Sequence, residues 1–248
     1  MVESIWRKGK LFGFMLLAGI LLMAKPALAD SYYPYEIQGY DVTVKVGKDN
    51  VYHVTERLQV NFNQARHGIY RDIPVINNVS REDGSTSRIQ ARVTNIKTYG
   101  EKRTVGREGS YCRIQLGDKN KTLVGEHMYH ISYDYNMGKD VRKGEDEFYY
   151  NIIGTSWDTT IQNVTFHIMM PEDIDESKVG MAYGESGSTN NEGLQYTING
   201  KVMEGYVDSS IILNPGEAVT VRMVLTDGYY DQVKQRIWPA LISILLSL

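Results

Sequence analysis

The stretch VYHVTERLQVNF, residues 51–62, decides the fold of this chain because apolar and polar residues alternate along it. Successive side chains of a β-strand point to opposite faces, so this alternation predicts a strand with one buried face. The segment Tyr40–Val46 alternates in the same way, and the turn sequence GKDN lies between the two. The two segments together predict a β-hairpin.

Alternating segments continue along the chain to Leu225, and no segment among them has the spacing of a long amphipathic helix. Short strands separated by turn signals are typical of an antiparallel β-sandwich. We therefore expect an all-β sandwich, immunoglobulin-like or related, in one domain over residues 30–228. The other predicted strands are Arg88–Val93, Tyr111–Leu116, Met128–Tyr135, Glu147–Ile153, Gln162–Met170, Leu194–Ile198 and Val219–Leu225.

One carboxylate interrupts the apolar face of the strand at residues 51–62. Glu56 shares its parity with Val54 and Leu58, so its side chain is expected to point inward. A buried charge without a partner is very costly, and buried charges occur mainly in pairs. The parity of Glu56 therefore predicts a basic partner on a neighbouring strand.

The segment ARHGIYRDIP, residues 65–74, supplies that partner. Arg71 shares its parity with the apolar Ile69 and Ile73, so it also points inward if the segment is extended. Its planar guanidinium can meet a carboxylate through two hydrogen bonds. We therefore predict a buried structural ion pair between Glu56 and Arg71, with Arg66 and Asp72 facing outward.

A second interpretation treats the same segment as an exposed surface that binds a ligand or partner. Its candidate interaction residues are His67, Tyr70, Arg66 and Trp157, and on this interpretation Arg71 is exposed as well. A catalytic role is disfavoured, since no nucleophile and base with the required spacing lie nearby.

The two ends of the chain predict a route across a membrane. Residues 1–29 have a basic start, an apolar core over Leu11–Ala24 and small residues at positions 27 and 29, which is typical of a signal peptide cleaved after Ala29. An uncleaved anchor helix is the alternative. The apolar stretch Ile237–Leu248 is shorter than the roughly 20 residues of a membrane helix. We interpret residues 229–248 as a juxtamembrane segment with a truncated membrane helix, or with a short apolar helix that docks on a surface.

Composition and motifs exclude several classes of function. The net charge is −3 and no basic run is present, which disfavours nucleic-acid binding. The five histidines lack the spacing of a zinc site, so no metal or cofactor is expected. Cys112 is the only cysteine and is interpreted as a buried strand residue. The acidic sequence GEDEF, residues 144–148, is interpreted as a solvated loop.

Three blocks of the sequence resemble the domain of unknown function 2207 family, the YciQ-like predicted bacterial membrane proteins. The first is HGIYRDIP (67–74), preceded by VTE (54–56) and by the aromatic Phe62. The second is DEFYYNIIGTSWDTTIQNVTFHIMMP (146–171), in which Tyr150 stands where the family more often has Trp. The third, weaker block is ILNPGEAVTVRMVLTDGY (212–229).

The resemblance spans about residues 35–230 and implies an extracellular N-terminal domain. Membrane helices and a cytoplasmic tail typically follow this domain in the family. The resemblance implies no activity. We expect a non-enzymatic module for binding, sensing or interaction in the bacterial cell envelope, secreted across the cytoplasmic membrane and anchored by its C-terminus, with an envelope protein or glycan as partner. The alternatives are an envelope hydrolase that uses the acids at 145–147 and a truncated copy of a larger membrane protein.

Overall fold

The computed structural model describes residues 33–80, 84, 86–139 and 144–234. The predicted signal peptide and the apolar stretch from Ile237 lie outside the described residues. Within them the chain is almost entirely β-structure, apart from a 3₁₀ turn at Glu176–Lys178. No helix in these ranges is long and apolar enough to cross a membrane.

The described residues form fifteen strands. In chain order they are β1 (Tyr35–Val46), β2 (Val51–Arg66), β3 (Gly68–Pro74), β4 (Ile76–Ser80), β5 (Thr86–Gln90), β6 (Arg92–Thr98), β7 (Arg103–Glu108), β8 (Tyr111–Gly117), β9 (Leu123–Asn136), β10 (Glu145–Ile153), β11 (Val164–Met169), β12 (Val179–Gly184), β13 (Leu194–Asn199), β14 (Val202–Val207) and β15 (Ala218–Thr226).

These strands form one large and three small sheets. The seven-stranded sheet has the order β13-β14-β11-β1-β2-β9-β6. The β10 sheet has the order β10-β15-β12, the β3 sheet has the order β3-β8-β7, and β4 pairs with β5. Neighbouring strands are antiparallel except β1 and β11, which run parallel.

The β10 and β3 sheets cover the same face of the seven-stranded sheet. On β2, the inward side chain of Tyr52 contacts Phe148 of the β10 sheet, with ring centroids 5.1 Å apart. Glu56 points the same way and contacts Arg71 of the β3 sheet. The core between these layers confirms the predicted all-β antiparallel sandwich, and the strand pair β1–β2 is the hairpin predicted from the alternation.

The first strand begins earlier than its alternation predicts. It starts at Tyr35, and a register shift between Ile37 and Gly39 changes which positions point inward. Tyr35 and Ile37 are buried before the shift, whereas Tyr40 and the even positions after it are buried beyond the shift. Because of this irregularity, alternation alone does not identify the first residues of the strand.

A narrow gap separates strand β3 from strand β10, so the second layer of the sandwich is not one continuous sheet. Side chains cover the free edge of β3. The Tyr135 hydroxyl donates to the Pro74 carbonyl oxygen at 2.8 Å, and the Ser156 hydroxyl donates to the Asp72 carbonyl oxygen at 2.8 Å. These contacts occupy acceptors that would otherwise be available to another strand.

Candidate functional site

The side chains of Glu56 and Arg71 meet in the core between the two layers. Arg71 Nε donates to Glu56 Oε2 and Arg71 Nη2 donates to Glu56 Oε1, each at 2.8 Å. The two side chains are 0% and 2% exposed. The structure thus brings together the two inward-pointing residues that strand parity predicts as an ion pair, in the two-bonded geometry that favours arginine over lysine.

Two tyrosines of the seven-stranded sheet complete the surroundings of the carboxylate. The Tyr40 hydroxyl donates to Glu56 Oε2 at 2.9 Å, and the Tyr133 hydroxyl donates to Glu56 Oε1 at 2.6 Å. The Tyr133 oxygen lies 2.9 Å from the Tyr150 oxygen of β10, which extends the network to the third sheet. Each carboxylate oxygen therefore accepts two hydrogen bonds, and the network joins the seven-stranded sheet, the β3 sheet and the β10 sheet.

This environment keeps the pair charged. Burial by itself raises the pKa of Glu56, but the Arg71 guanidinium and the hydrogen bonds from Arg71, Tyr133 and Tyr40 outweigh it, so the pKa lies below its ordinary value. Burial lowers the pKa of Arg71, and the facing carboxylate outweighs this effect and raises it well above its ordinary value. Burial is also the main cause of the raised pKa of Tyr40, so its hydroxyl keeps its proton.

The far side of Arg71 is packed as well. Arg71 Nη1 donates to the Asp72 carbonyl oxygen at 2.8 Å, and the guanidinium lies 5.7 Å from the centre of the Trp157 ring. Gly154 approaches the same nitrogen without a side chain. Because the pair is buried and its carboxylate oxygens are each bonded twice, its geometry suits the cohesion of the layers.

A second arginine–carboxylate pair lies directly outside the first. Asp72 follows Arg71 on β3 and points to the opposite face, where it accepts from Arg113 Nε at 2.8 Å and from Arg113 Nη2 at 2.7 Å. The side chains of Arg113 and Asp72 are 37% and 13% exposed. Tyr70, two residues earlier on the same face, places its ring 5.0 Å from the Arg113 guanidinium carbon.

The outward face of the β3 sheet therefore carries a group that we call the Arg113 surface, formed by Tyr70, Asp72, Glu108, Tyr111 and Arg113. It borders an open groove with a volume of about 570 Å³. Asn77 and Asn78 line the groove where β4 leaves the β3 sheet. No local pattern in the sequence indicates Arg113 or Tyr111, because the pairing of β3 with β8 joins residues about 40 positions apart.

The predicted interaction residues do not form one patch. Tyr70 and His67 are exposed, and His67 Nδ1 lies 2.8 Å from the Lys121 carbonyl oxygen. Arg66 is half-buried and lies over the Tyr35 ring at 5.3 Å. Trp157 was wrongly placed among exposed residues: it is 4% exposed and packs edge-on against Tyr40 in the core.

The prediction of a solvated loop at residues 144–148 is also wrong. Asp146 and Glu147 lie on β10 and are 8% and 5% exposed. Asp146 Oδ2 accepts from the Tyr230 backbone N–H at 2.9 Å, and Glu147 Oε1 accepts from Arg222 Nε at 2.6 Å. Both carboxylates hold neighbouring strands and chain segments in place.

The remaining candidates for chemistry are dispersed. Within the described ranges, no three His, Cys, Asp or Glu side chains are grouped so that they could hold a metal ion. Cys112 is half-buried on β8 rather than fully buried, and burial, followed by the Asp72 carboxylate, raises the pKa of its thiol. A thiol that keeps its proton is a poor nucleophile.

Comparison with solved structures gives distant likenesses. The M1 zinc metallopeptidase from Deinococcus radiodurans matches with a TM-score of 0.39 at 9% identity, covering 76% of this chain and 42% of the peptidase. Native leukotriene A4 hydrolase from Saccharomyces cerevisiae matches with a TM-score of 0.41 at 7% identity, covering 78% of this chain and 30% of the hydrolase. This chain thus spans less than half the length of either protein. Likenesses at this level carry no argument about activity.

Comparison with sequences identifies a family. No curated protein matches the chain. The family described as "Predicted membrane protein (DUF2207) N-terminal domain" matches residues 36–225, which include β1 to β15 almost completely and contain the pairs Glu56–Arg71 and Asp72–Arg113. The chain therefore belongs to this family of predicted membrane proteins, and residues 36–225 are its N-terminal domain.

Proposed function

We propose that this domain is a non-enzymatic interaction module of a membrane-anchored protein, displayed on the outer side of the cytoplasmic membrane, with the Arg113 surface as its contact site. The family supports membrane association. The signal-like residues 1–29 and the apolar residues 237–248 support the outward location and the anchor.

One observation carries the proposed role: the buried charges are used inside the domain, whereas Arg113 and Glu108 border an open groove. The pair Glu56–Arg71 is sealed in the core, and Asp146 and Glu147 bind other parts of the domain. A hydrolase would need convergent titratable groups that a substrate can reach. The Arg113 surface and the groove beside it instead offer rings, a guanidinium and amides, which is typical of a binding site.

The location is tested with a single engineered thiol in the full chain. Ser186 lies in the exposed loop between β12 and β13, so Ser186→Cys in a Cys112→Ala background presents one accessible thiol. We expect a membrane-impermeant maleimide to label it in intact spheroplasts. Labelling that requires lysis of the spheroplasts would contradict the outward location.

The contact site is tested by photo-crosslinking in living cells. A benzoyl-phenylalanine at position 70 samples the Arg113 surface, and the same group at position 206 is the control, because Tyr206 is an exposed tyrosine on the seven-stranded sheet. We expect crosslinked products from position 70 and none from position 206. Equal products from both positions, or none from position 70, would remove the Arg113 surface as the contact site.

A further inference from the structure

The side chains at the centre of the Arg113 surface are held in place. Its residues alternate on paired strands: Asp72 is opposite Arg113, and Arg113 is opposite Gly106 of β7. The two hydrogen bonds to Asp72 and the contact with Tyr70 fix the plane of the guanidinium. A Cβ at Gly106 would have no neighbour within 4 Å, so the surface is open on that side. A ligand thus meets a preorganised plane and has little to reorder on binding.

The groove beside this plane has unused hydrogen-bonding groups. Within the described part of the chain, no hydrogen bond is formed by the side-chain amides of Asn77 and Asn78 or by the Tyr111 hydroxyl. An amide both donates and accepts, as does a phenol hydroxyl. A ligand that carries many hydroxyl groups matches this set, because each hydroxyl also donates and accepts.

The aromatic rings add an apolar component. Tyr70 is 50% exposed, and Arg113 lies over its ring. Tyr111 lines the groove on the next strand. Tyrosine combines a flat apolar ring with a polar tip, which suits ligands that have both C–H faces and hydroxyl edges.

The charges of the surface argue against a charged ligand. Arg113 is bonded to Asp72, and its Nη1 lies 3.6 Å from Glu108 Oε2. One guanidinium therefore faces two carboxylates, so a phosphate or another anion would meet net negative charge. A cationic peptide would gain little from the one excess carboxylate, because exposed charge pairs contribute little to the binding free energy.

From the free amides, the exposed rings and the near balance of charge, we infer that the Arg113 surface binds a neutral oligosaccharide. This inference rests on the proposed role of the surface as a contact site and adds the chemical class of the ligand.

The test measures binding of three neutral oligosaccharides, maltohexaose, cellohexaose and chitohexaose, to the full chain by isothermal titration calorimetry. The protein is purified in a polyoxyethylene detergent, because glycoside detergents would compete. We expect at least one of the three to bind with a dissociation constant at or below about 1 mM. Arg113→Ala and Asn77→Ala should each weaken that binding by about tenfold, since each removes hydrogen bonds to the ligand.

Controls separate the ligand class from the site. Tyr206→Ala removes an exposed tyrosine elsewhere and should leave the affinity unchanged. A variant that loses binding is interpreted only if its thermal unfolding temperature matches that of the parent. Arg113→Lys keeps the charge but cannot form the two-bonded contact, so its affinity should lie between those of the parent and Arg113→Ala.

Inorganic phosphate and hexalysine are the competing probes. If hexalysine or phosphate binds in an Arg113-dependent way and no oligosaccharide does, the saccharide inference is overturned and the contact site stands. If position 70 also gives no crosslink in cells, both the saccharide inference and the proposed contact site are overturned. Oligosaccharide binding that is indifferent to Arg113→Ala and Asn77→Ala would place the ligand elsewhere and overturn the inference as well.

Discussion

Arg71 and Arg113 hold their carboxylates in the same way but in opposite environments. Each guanidinium donates two hydrogen bonds, at 2.8 Å and 2.8 Å to Glu56 and at 2.8 Å and 2.7 Å to Asp72. The first pair is sealed in the core, whereas Arg113 is 37% exposed. Bond geometry therefore does not distinguish a structural pair from a surface pair.

The two pairs differ in whether another group, such as water, can replace a lost hydrogen-bond partner. Around Glu56 two tyrosine hydroxyls occupy the remaining acceptor positions, so the loss of any member leaves a buried group unpaired. Around Asp72 and Arg113, water can replace a lost partner. The inner pair thus stabilises the fold, whereas the outer pair stays in place and remains accessible to a ligand.

The largest expected effect comes from removing one member of the inner pair. Arg71→Ala and Glu56→Ala should each lower the free energy of unfolding by about 3–5 kcal/mol, because each leaves a buried charge without its partner. Urea unfolding followed by circular dichroism measures this free energy. The double variant should lose clearly less than the sum of the single losses. Additive losses would mean that the two charges are not coupled.

A smaller effect is expected from one tyrosine of the network. Tyr133→Phe removes a hydrogen bond to a charged acceptor and should lower the free energy of unfolding by about 1.5–3 kcal/mol. Tyr129→Phe is the matched control on the same strand, because the buried Tyr129 hydroxyl has no hydrogen-bond partner in the described part of the chain. Equal losses in the two variants would indicate a packing effect instead of the hydrogen bond.

Acid should weaken the inner pair selectively. The folded-state pKa of Glu56 is lowered, so its stabilisation is complete above the unfolded-state pKa of about 4.3 and is lost as the pH falls through the folded-state value. The difference in unfolding free energy between the parent and Glu56→Gln should therefore be largest at neutral pH and should narrow in acid. Urea titrations at neutral and acidic pH measure it, and a difference that widens in acid would contradict the assignment.

The smallest effect is expected from the outer pair. Arg113→Ala should lower the free energy of unfolding by about 0–1 kcal/mol, because Arg113 is more than one third exposed and solvent screens the pair. Added salt should reduce this loss further. A salt-independent loss as large as that of Arg71→Ala would mean that the two pairs have the same structural role.

Strand parity predicted the inner pair because both residues interrupt otherwise apolar faces. The sandwich and its central hairpin could be predicted for the same reason. Strand β7 was missed since all six of its residues are exposed and its sequence does not alternate in polarity. Strand β14 was also missed, where Gly205 at an inward position accommodates the Phe166 ring.

The errors in the site arose where no local pattern exists. Trp157 lies in an irregular segment between β10 and β11, so parity could not indicate its direction. Glu147 is buried because Arg222, 75 residues later, is on the neighbouring strand. The Asp72–Arg113 pair likewise depends on the register of β3 against β8, which the sequence does not reveal.

The opposite directions of Arg71 and Asp72 have a consequence for insertions and deletions in β3. A change of one residue between Gly68 and Arg71 would turn every later side chain of the strand to the other face. A deletion would place the Asp72 carboxylate opposite Glu56 in the core, and an insertion would place Tyr70 or the added residue there. In both cases Arg71 would point to solvent. The strand cannot easily shift along β8 to correct this either, because a residue other than glycine would then occupy the position of Gly68. Its Cβ would lie 1.8 Å from the Leu116 carbonyl oxygen. The length of this segment is therefore as constrained as its composition.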